Sequence, residues 1–107
     1  MVAKRFEIWL ISLDPVRGSE IAKTRPCVIV SPDVLNRYLA TLLVAPLTST
    51  IKSYPSRLNC IIAGKNGQIA LDQIRAVDKS RLVKNIAVLD NITAFQLCEL
   101  LREIFEY

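Results

Sequence analysis

Apolar residues fall into short, dense runs along most of this chain and then into a helical stripe at its end. Phe6–Leu13, Pro26–Ser31 and Thr41–Leu47 are apolar on both faces, rich in β-branched or aromatic side chains, and bounded by turn formers. Such runs predict central strands, because a strand covered on both sides loses the alternation that a half-solvated strand keeps. Leu58–Ile62 and Gly67–Ile74 predict two more, joined through Ala63-Gly64-Lys65-Asn66-Gly67, whose glycines admit the positive φ of a hairpin turn. Gly67–Ile74 alternates, with Ile69 and Leu71 on one side and Gln68, Ala70 and Asp72 on the other, so one of its faces is expected to meet water or a ligand. Ser31-Pro32-Asp33 ahead of Val34-Leu35-Asn36-Arg37 predicts a short helix, with Ser31 as cap and Pro32 at the first helical position. After that the period changes. Leu97, Leu100, Leu101, Ile104 and Phe105 follow the i, i+3, i+4, i+7, i+8 spacing of one helix face, with Asp90, Asn91 or Thr93 available as cap.

The expected fold class is mainly β with a C-terminal α-helix (α+β), a small antiparallel barrel or open sheet with the helix packed on it. The 107 residues suit one domain, 1–107, and a hydrophobic share of 51% excludes disorder. No apolar run approaches the roughly 18 residues of a membrane span. Lys4, Arg5 and Glu7 stand where a signal peptide carries its apolar core, so a soluble, cytoplasmic protein with no membrane partner is expected. Cys27, Cys60 and Cys98 are odd in number and far apart, which fits buried thiols rather than disulfides or a metal cage. No metal and no cofactor is expected. Histidine is absent altogether, which removes the commonest general base and metal ligand. Any chemistry must run on arginine, lysine, carboxylates and hydroxyls.

Charge changes the picture further. Residues 17–84 hold eleven lysines and arginines against four carboxylates, a balance of +7, whereas residues 85–107 hold one arginine against four. The basic body suits a polyanion, and it suits an ordinary solvated surface equally well. Its densest stretch is Asp14–Pro26, a long connection between two strands with three cations (Arg17, Lys23, Arg25), Glu20, and the hydroxyls of Ser19 and Thr24. It reads as a solvated loop or as a binding loop. Pro26 biases Arg25 toward an extended backbone at a strand mouth, where its fork can take a phosphate bidentately. Ala45-Pro46-Leu47 ends in Thr48, Ser49 and Thr50, which are site hydroxyls or a plain hydroxyl turn. Asp72-Gln73-Ile74-Arg75 offers a carboxylate, an amide and a cation, and a cross-strand ion pair or a turn explains Asp72 and Arg75 equally. Lys79, Arg81 and Lys84 read as a surface charge run. Tyr54, beside Pro55 and near Arg57, is a stacking platform or a cover for the core.

In order and spacing, Glu7-Ile8-Trp9-Leu10, Asp14-Pro15, Arg17-Gly18-Ser19-Glu20, Lys23-Thr24-Arg25-Pro26, Val28-Ile29-Val30-Ser31, Ala45-Pro46-Leu47-Thr48-Ser49 and the stretch Gly67–Asp78 resemble the MazF/PemK family of toxin endoribonucleases. The resemblance covers nearly the whole chain. It implies an SH3-like or CcdB-like small barrel, a homodimer, cleavage of single-stranded RNA at short sequence motifs, and a cognate antitoxin. It also implies catalytic roles for Arg25 and Thr48 and an activity-linked role for Glu20. Asp72 matches an aspartate proposed as catalytic in the Kid branch, where an arginine two positions earlier and a histidine in the first loop accompany it. Here those positions are Ala70 and Ser19, which shifts weight to Arg25 and Thr48.

RNA brings its own nucleophile, the 2′-OH. A nuclease built from these residues must deprotonate it, stabilise the developing charge and protonate the leaving oxygen. Arg25 suits the charge and Thr48 a hydrogen bond to a phosphoryl oxygen, with Glu20 first and Asp72 second as base, either needing a raised pKa. Arg17, Ser19, Lys23, Ser49, Tyr54, Arg57, Gln73 and Arg75 are the expected RNA-binding residues. Two rival readings stand beside this one: a CcdB-like inhibitor of a topoisomerase that cuts nothing, and a noncatalytic nucleic-acid-binding barrel.

Overall fold

In the computed structural model, which describes residues 2–107, the chain runs β1 (Glu7–Ser12), β2 (Thr24–Ile29), α1 (Asp33–Tyr38), β3 (Thr41–Thr48), β4 (Arg57–Ile62), β5 (Lys65–Ala70), β6 (Arg75–Asp78), β7 (Leu82–Val88) and α2 (Asn91–Phe105). The strands form one curved antiparallel sheet in the order β4-β5-β3-β2-β1-β7, with β6 also on β3. The expectation of a β body with a C-terminal helix holds. β3 is the hub: β2 pairs with one side of it, while β6 takes Thr41–Val44 and β5 takes Leu47–Thr48 on the other.

This end-to-end placement of β5 and β6 corrects the expected strand Gly67–Ile74. The strand stops at Ala70, and Leu71–Gln73 coil into a 3-10 turn before β6 resumes along β3. The cause is local. The Leu71 N–H donates to Ser56 O (3.1 Å) rather than to β3. Of the face expected to meet water, Gln68 and Ala70 are as buried as Ile69 and Leu71, because the chain after β3 folds over Gln68, and only Asp72 is exposed.

Burial on both faces of β1, β2 and β3 explains their unbroken apolar runs. Ile8, Val28, Ala45 and Leu47 pack with Ile69, Ala94 and Leu97 under α2, whereas Trp9, Ile11, Cys27, Ile29 and Val44 pack on the opposite face with Leu42, Val77 and Leu82. Each fully buried aliphatic side chain contributes roughly 1.5–3 kcal/mol. Asp90 caps α2 by accepting the Thr93 N–H at 3.1 Å. The face of α2 against the core is Ala94, Leu97, Cys98, Leu100 and Leu101, so the expected stripe holds at Leu97, Leu100 and Leu101 and extends one turn earlier to Ala94, whereas Ile104 and Phe105 lie exposed.

Three further details depart from expectation. Ser31 does not cap α1; Pro32 holds the cap position, and the buried Ser31 hydroxyl donates to Asn36 Oδ1 (2.5 Å) and accepts from Leu43 N (3.1 Å). The β4–β5 connection is only Ala63-Gly64, with φ of +51° and +76°, a type I′ turn in which Ile62 already pairs Lys65. The stretch read as a charge run, Lys79 to Lys84, contains a 3-10 turn and the start of β7, a sheet edge whose Val83, Ile86 and Val88 are exposed. All three cysteines are free; Cys27 and Cys60 are buried, and burial pushes the Cys27 thiol up to about 12. Among the described residues no helix is long and apolar enough to cross a membrane.

Candidate active site

The β1–β2 connection is held at many points along its backbone. Leu13 N donates to Lys23 O (3.0 Å), and Lys23 N donates to Asp14 Oδ1 (2.9 Å), which closes the base of the loop. Lys23 sits there in the left-handed region at φ +69°, a conformation that costs a non-glycine residue about 1 kcal/mol or more. At the tip, Arg17 N donates to Glu20 Oε1 (2.5 Å) and Glu20 N to Arg17 O (3.1 Å). From outside the loop, Arg75 donates to Leu13 O (3.0 Å), and Arg81 donates to Ser12 O (3.0 Å) and to Asp14 O. These two arginines are engaged by backbone carbonyls.

Arg25 is oriented differently. On β2, opposite Ile11 of β1, its Nε donates to Ala22 O (3.0 Å), while its two terminal nitrogens have no hydrogen-bond partner among the described residues. The guanidinium is thus aimed by one bond and keeps its fork for a ligand. Thr48, the last residue of β3, accepts from Thr50 N at 3.1 Å through its hydroxyl oxygen, which leaves the hydroxyl proton to donate outward. Gly67 lets β5 approach this strand end closely, since a Cβ there would lie 3.1 Å from Thr48 O. Arg25 and Thr48 line one cleft of about 360 Å³ with Ser19, Glu20, Ile21, Ala22, Thr50, Lys52, Arg57 and Gln73. They also border a second hollow, walled by Pro26, Leu47, Ser49, Ile62, Ala63, Lys65, Asn66, Gly67 and Ile86.

On the far wall Arg57 forms a two-pronged ion pair with Asp72, at 2.7 Å from Nε and 3.2 Å from Nη2, and the Ser56 hydroxyl donates to the same carboxylate at 3.0 Å. The Arg57 guanidinium holds the Asp72 carboxyl below the usual carboxylate range, and the pairing raises Arg57 in turn. That corrects the expectation of a raised pKa at Asp72: its surroundings favour a permanent anion. Arg57 also lies under the Tyr54 ring, 5.2 Å from its centroid, and Tyr54 is 51% exposed. An exposed ring stacked on a cation is not a cover for the core.

The structure therefore brings Ser19, Glu20, Arg25, Thr48, Arg57 and Gln73 to one cleft and places Ser49 at its neighbour. Asp72 and Arg75 line a third hollow, which shares Ser19, Glu20 and Gln73 with the cleft. Arg17 and Lys23 are exposed on the loop and line none of the three. Thr50, one of the three hydroxyls that end β3 and its turn, lines the cleft as well, and Lys52, two positions further on, is a cleft residue that sequence reading missed. Among the described residues no three histidine, cysteine, aspartate or glutamate side chains converge as a metal cage requires.

Residues 4–105 match the family model described as "PemK-like, MazF-like toxin of type II toxin-antitoxin system". The chain is 34% identical over 97 residues to Endoribonuclease EndoA of Bacillus subtilis (strain 168), covering 85% of this chain and 84% of that protein. Its fold superposes on the crystal structure of MazF from Deinococcus radiodurans with a TM-score of 0.86 at 22% identity, over 100% of this chain and 99% of that one. A MazE-MazF structure from the same organism gives a TM-score of 0.77 at 23% identity, covering 97% and 96% of the two chains. With every residue of the cleft inside the matched segment, this chain belongs to the PemK-like, MazF-like toxin family of type II toxin–antitoxin systems.

Proposed function

We infer that this toxin is an endoribonuclease that cuts single-stranded RNA by attack of the substrate's own 2′-OH on the adjacent phosphate. The observation that carries the reading is the pairing of Arg25 and Thr48 in one cleft. Arg25 has a guanidinium fixed by Ala22 O with its terminal nitrogens unengaged, and Thr48 has a hydroxyl whose acceptor is already occupied by Thr50 N. Together they present charge-assisted and neutral donors to a phosphoryl group as negative charge builds on it. The 2′-OH proton passes to a base and a proton returns to the departing 5′-oxygen, so the products are a 2′,3′-cyclic phosphate and a 5′-hydroxyl. Glu20 is the base this cleft supplies: Oε1 takes the Arg17 N–H, and Oε2 has no partner among the described residues. Asp72 serves instead as counter-ion to Arg57. The relative's name as an endoribonuclease supports cutting over a non-cutting topoisomerase inhibitor or a passive RNA-binding barrel.

The partners follow from the same surface. The MazE-MazF structure supports a cognate antitoxin, and an acidic antitoxin segment competes with RNA for the basic cleft. A homodimer fits the free edge of β7, where Val83 and Val88 are exposed and Ile86 borders the hollow beside Arg25 and Thr48.

The decisive experiment measures cleavage of a defined RNA in EDTA. Wild type is expected to cut and Arg25→Ala to fall by at least about a hundredfold, the usual cost of one transition-state donor, with unchanged circular dichroism. Thr48→Ala should lose less, because a neutral hydrogen bond is weaker than a charged one. Replacing the ribose 5′ of the scissile phosphate by 2′-deoxyribose should stop cleavage and leave binding intact. Cleavage of that deoxy substrate at the same bond, or wild-type rates from Arg25→Ala, would overturn the mechanism.

A further inference from the structure

Two glutamines, one on β5 before the Leu71–Gln73 turn and one at the end of that turn, each reach a different wall of the cleft. Gln68, on β5 and buried, treats Lys52 as a sheet partner: its Oε1 accepts Lys52 N at 3.0 Å, and its Nε2 donates to Lys52 O at 2.9 Å and to Asn59 Oδ1 at 2.8 Å. Gln73, at the end of the turn, does the same for the β1–β2 loop. Its Oε1 accepts Ile21 N at 2.8 Å and its Nε2 reaches Ser19 O at 3.5 Å. Both loops are otherwise free of sheet pairing where they line the cleft. An amide side chain offers an acceptor to an N–H and a donor to a C=O on separate atoms, as a peptide unit does.

We propose that Gln68 and Gln73 are positioning residues that set the width of the cleft, Gln73 holding the wall that carries Glu20 and Gln68 the wall that carries Thr50 and Lys52. Because β5 is also pressed against Thr48 through Gly67, both walls are referenced to the strand end that bears the Thr48 hydroxyl. Gln73, expected from sequence as an RNA contact, here acts through Ser19 and Ile21. An acid in its place loses the donor, and an apolar isostere loses both bonds.

The test has two arms, and only the second rests on the cleavage reading. In the free protein, amide hydrogen exchange read by NMR should be about tenfold faster or more at Ile21 in Gln73→Met and at Lys52 in Gln68→Met, each leaving the other site unchanged, the order expected when one hydrogen bond is lost. In cleavage assays Gln73→Met should lower kcat about tenfold with the preferred RNA sequence unchanged, since only the alignment of the wall is disturbed. Gln73→Met, at a half-buried turn, keeps the proposal testable if the buried Gln68 variant fails to fold. Unchanged exchange at Ile21 in Gln73→Met overturns the proposal, whatever the RNA results. So does an altered base preference with unchanged exchange, which would make Gln73 a direct reader of RNA. Loss of the exchange protection in a protein that cuts no RNA would leave the clamp standing and overturn the cleavage reading alone.

Discussion

Two arginines enter the same cleft and are put to opposite uses, and their partners decide which. Arg57 is matched by Asp72 with two bonds and by the Tyr54 ring, so its charge is already answered and its geometry is that of a strut. Arg25 spans only to a carbonyl, so its charge is unanswered and available. The Arg57–Asp72 pair has a pH signature. Asp72 is held below its ordinary pKa near about 3.9, so its contribution to stability is present above that value and is lost as pH falls through the lower, folded-state value. Asp72→Asn should therefore cost about 1 kcal/mol near neutrality, the upper range for a partly exposed pair. The gap to wild type should close as the pH falls through that lowered value. Urea unfolding followed by circular dichroism at several pH values checks this, and a gap that widens on acidification contradicts it.

Secondary-structure elements set where these residues stand, and the clearest case is the Ala63-Gly64 turn between β4 and β5. A type I′ turn needs positive φ at both central positions, and Ala63 pays for that with its Cβ. Relief of left-handed strain is worth about 1–2 kcal/mol, while the extra freedom of glycine in the unfolded chain returns about 0.5–1. Ala63→Gly should then stabilise the protein by about 0.5–1 kcal/mol, read as a higher midpoint in urea with an unchanged slope. A lower midpoint would refute the argument. The same elements show what the sequence makes legible. The dense apolar runs of β1, β2 and β3 and the stripe of α2 are read directly, since each records burial. β6 and β7 escape because β6 has a single buried residue, Val77, and β7 is an edge whose buried Leu82 is followed by exposed Val83, Lys84 and Asn85. Gln68 escapes for the opposite reason: a polar residue in an alternating strand is read as facing water until the loop that covers it is seen. Arg25 and Thr48 are recoverable from family resemblance, whereas the engagement of Arg75 and Arg81 by backbone carbonyls depends on contacts more than sixty residues apart in sequence.

Over the whole molecule the charge is segregated, and only part of it borders the cleft. Oligomeric state comes first: the open β7 edge leads us to expect a dimer by light scattering at micromolar concentration, and Val88→Lys should weaken it by placing a charge on that edge. A persistent dimer in that variant would place the interface elsewhere. For RNA the relevant count is local. The balance of +7 over residues 17–84 would, if every charge met a phosphate, give a salt dependence near −5, taking about −0.7 per contact for a single strand. Yet Arg57 is neutralised by Asp72, and Arg75, Lys79 and Arg81 line neither the cleft nor the hollow beside it. The cations that border the cleft and its neighbouring hollow with no carboxylate partner are Arg25, Lys52 and Lys65. Three contacts predict a slope near about −2 in a plot of log affinity against log salt. Fluorescence anisotropy of the 2′-deoxy-blocked RNA across a range of KCl concentrations measures it for the uncut complex. Lys52→Ala should flatten the slope by about one contact's share and Lys79→Ala should leave it alone. A slope near −5, or an equal loss from both variants, would mean that the RNA runs over the whole basic body rather than through the cleft between Arg25 and Thr48.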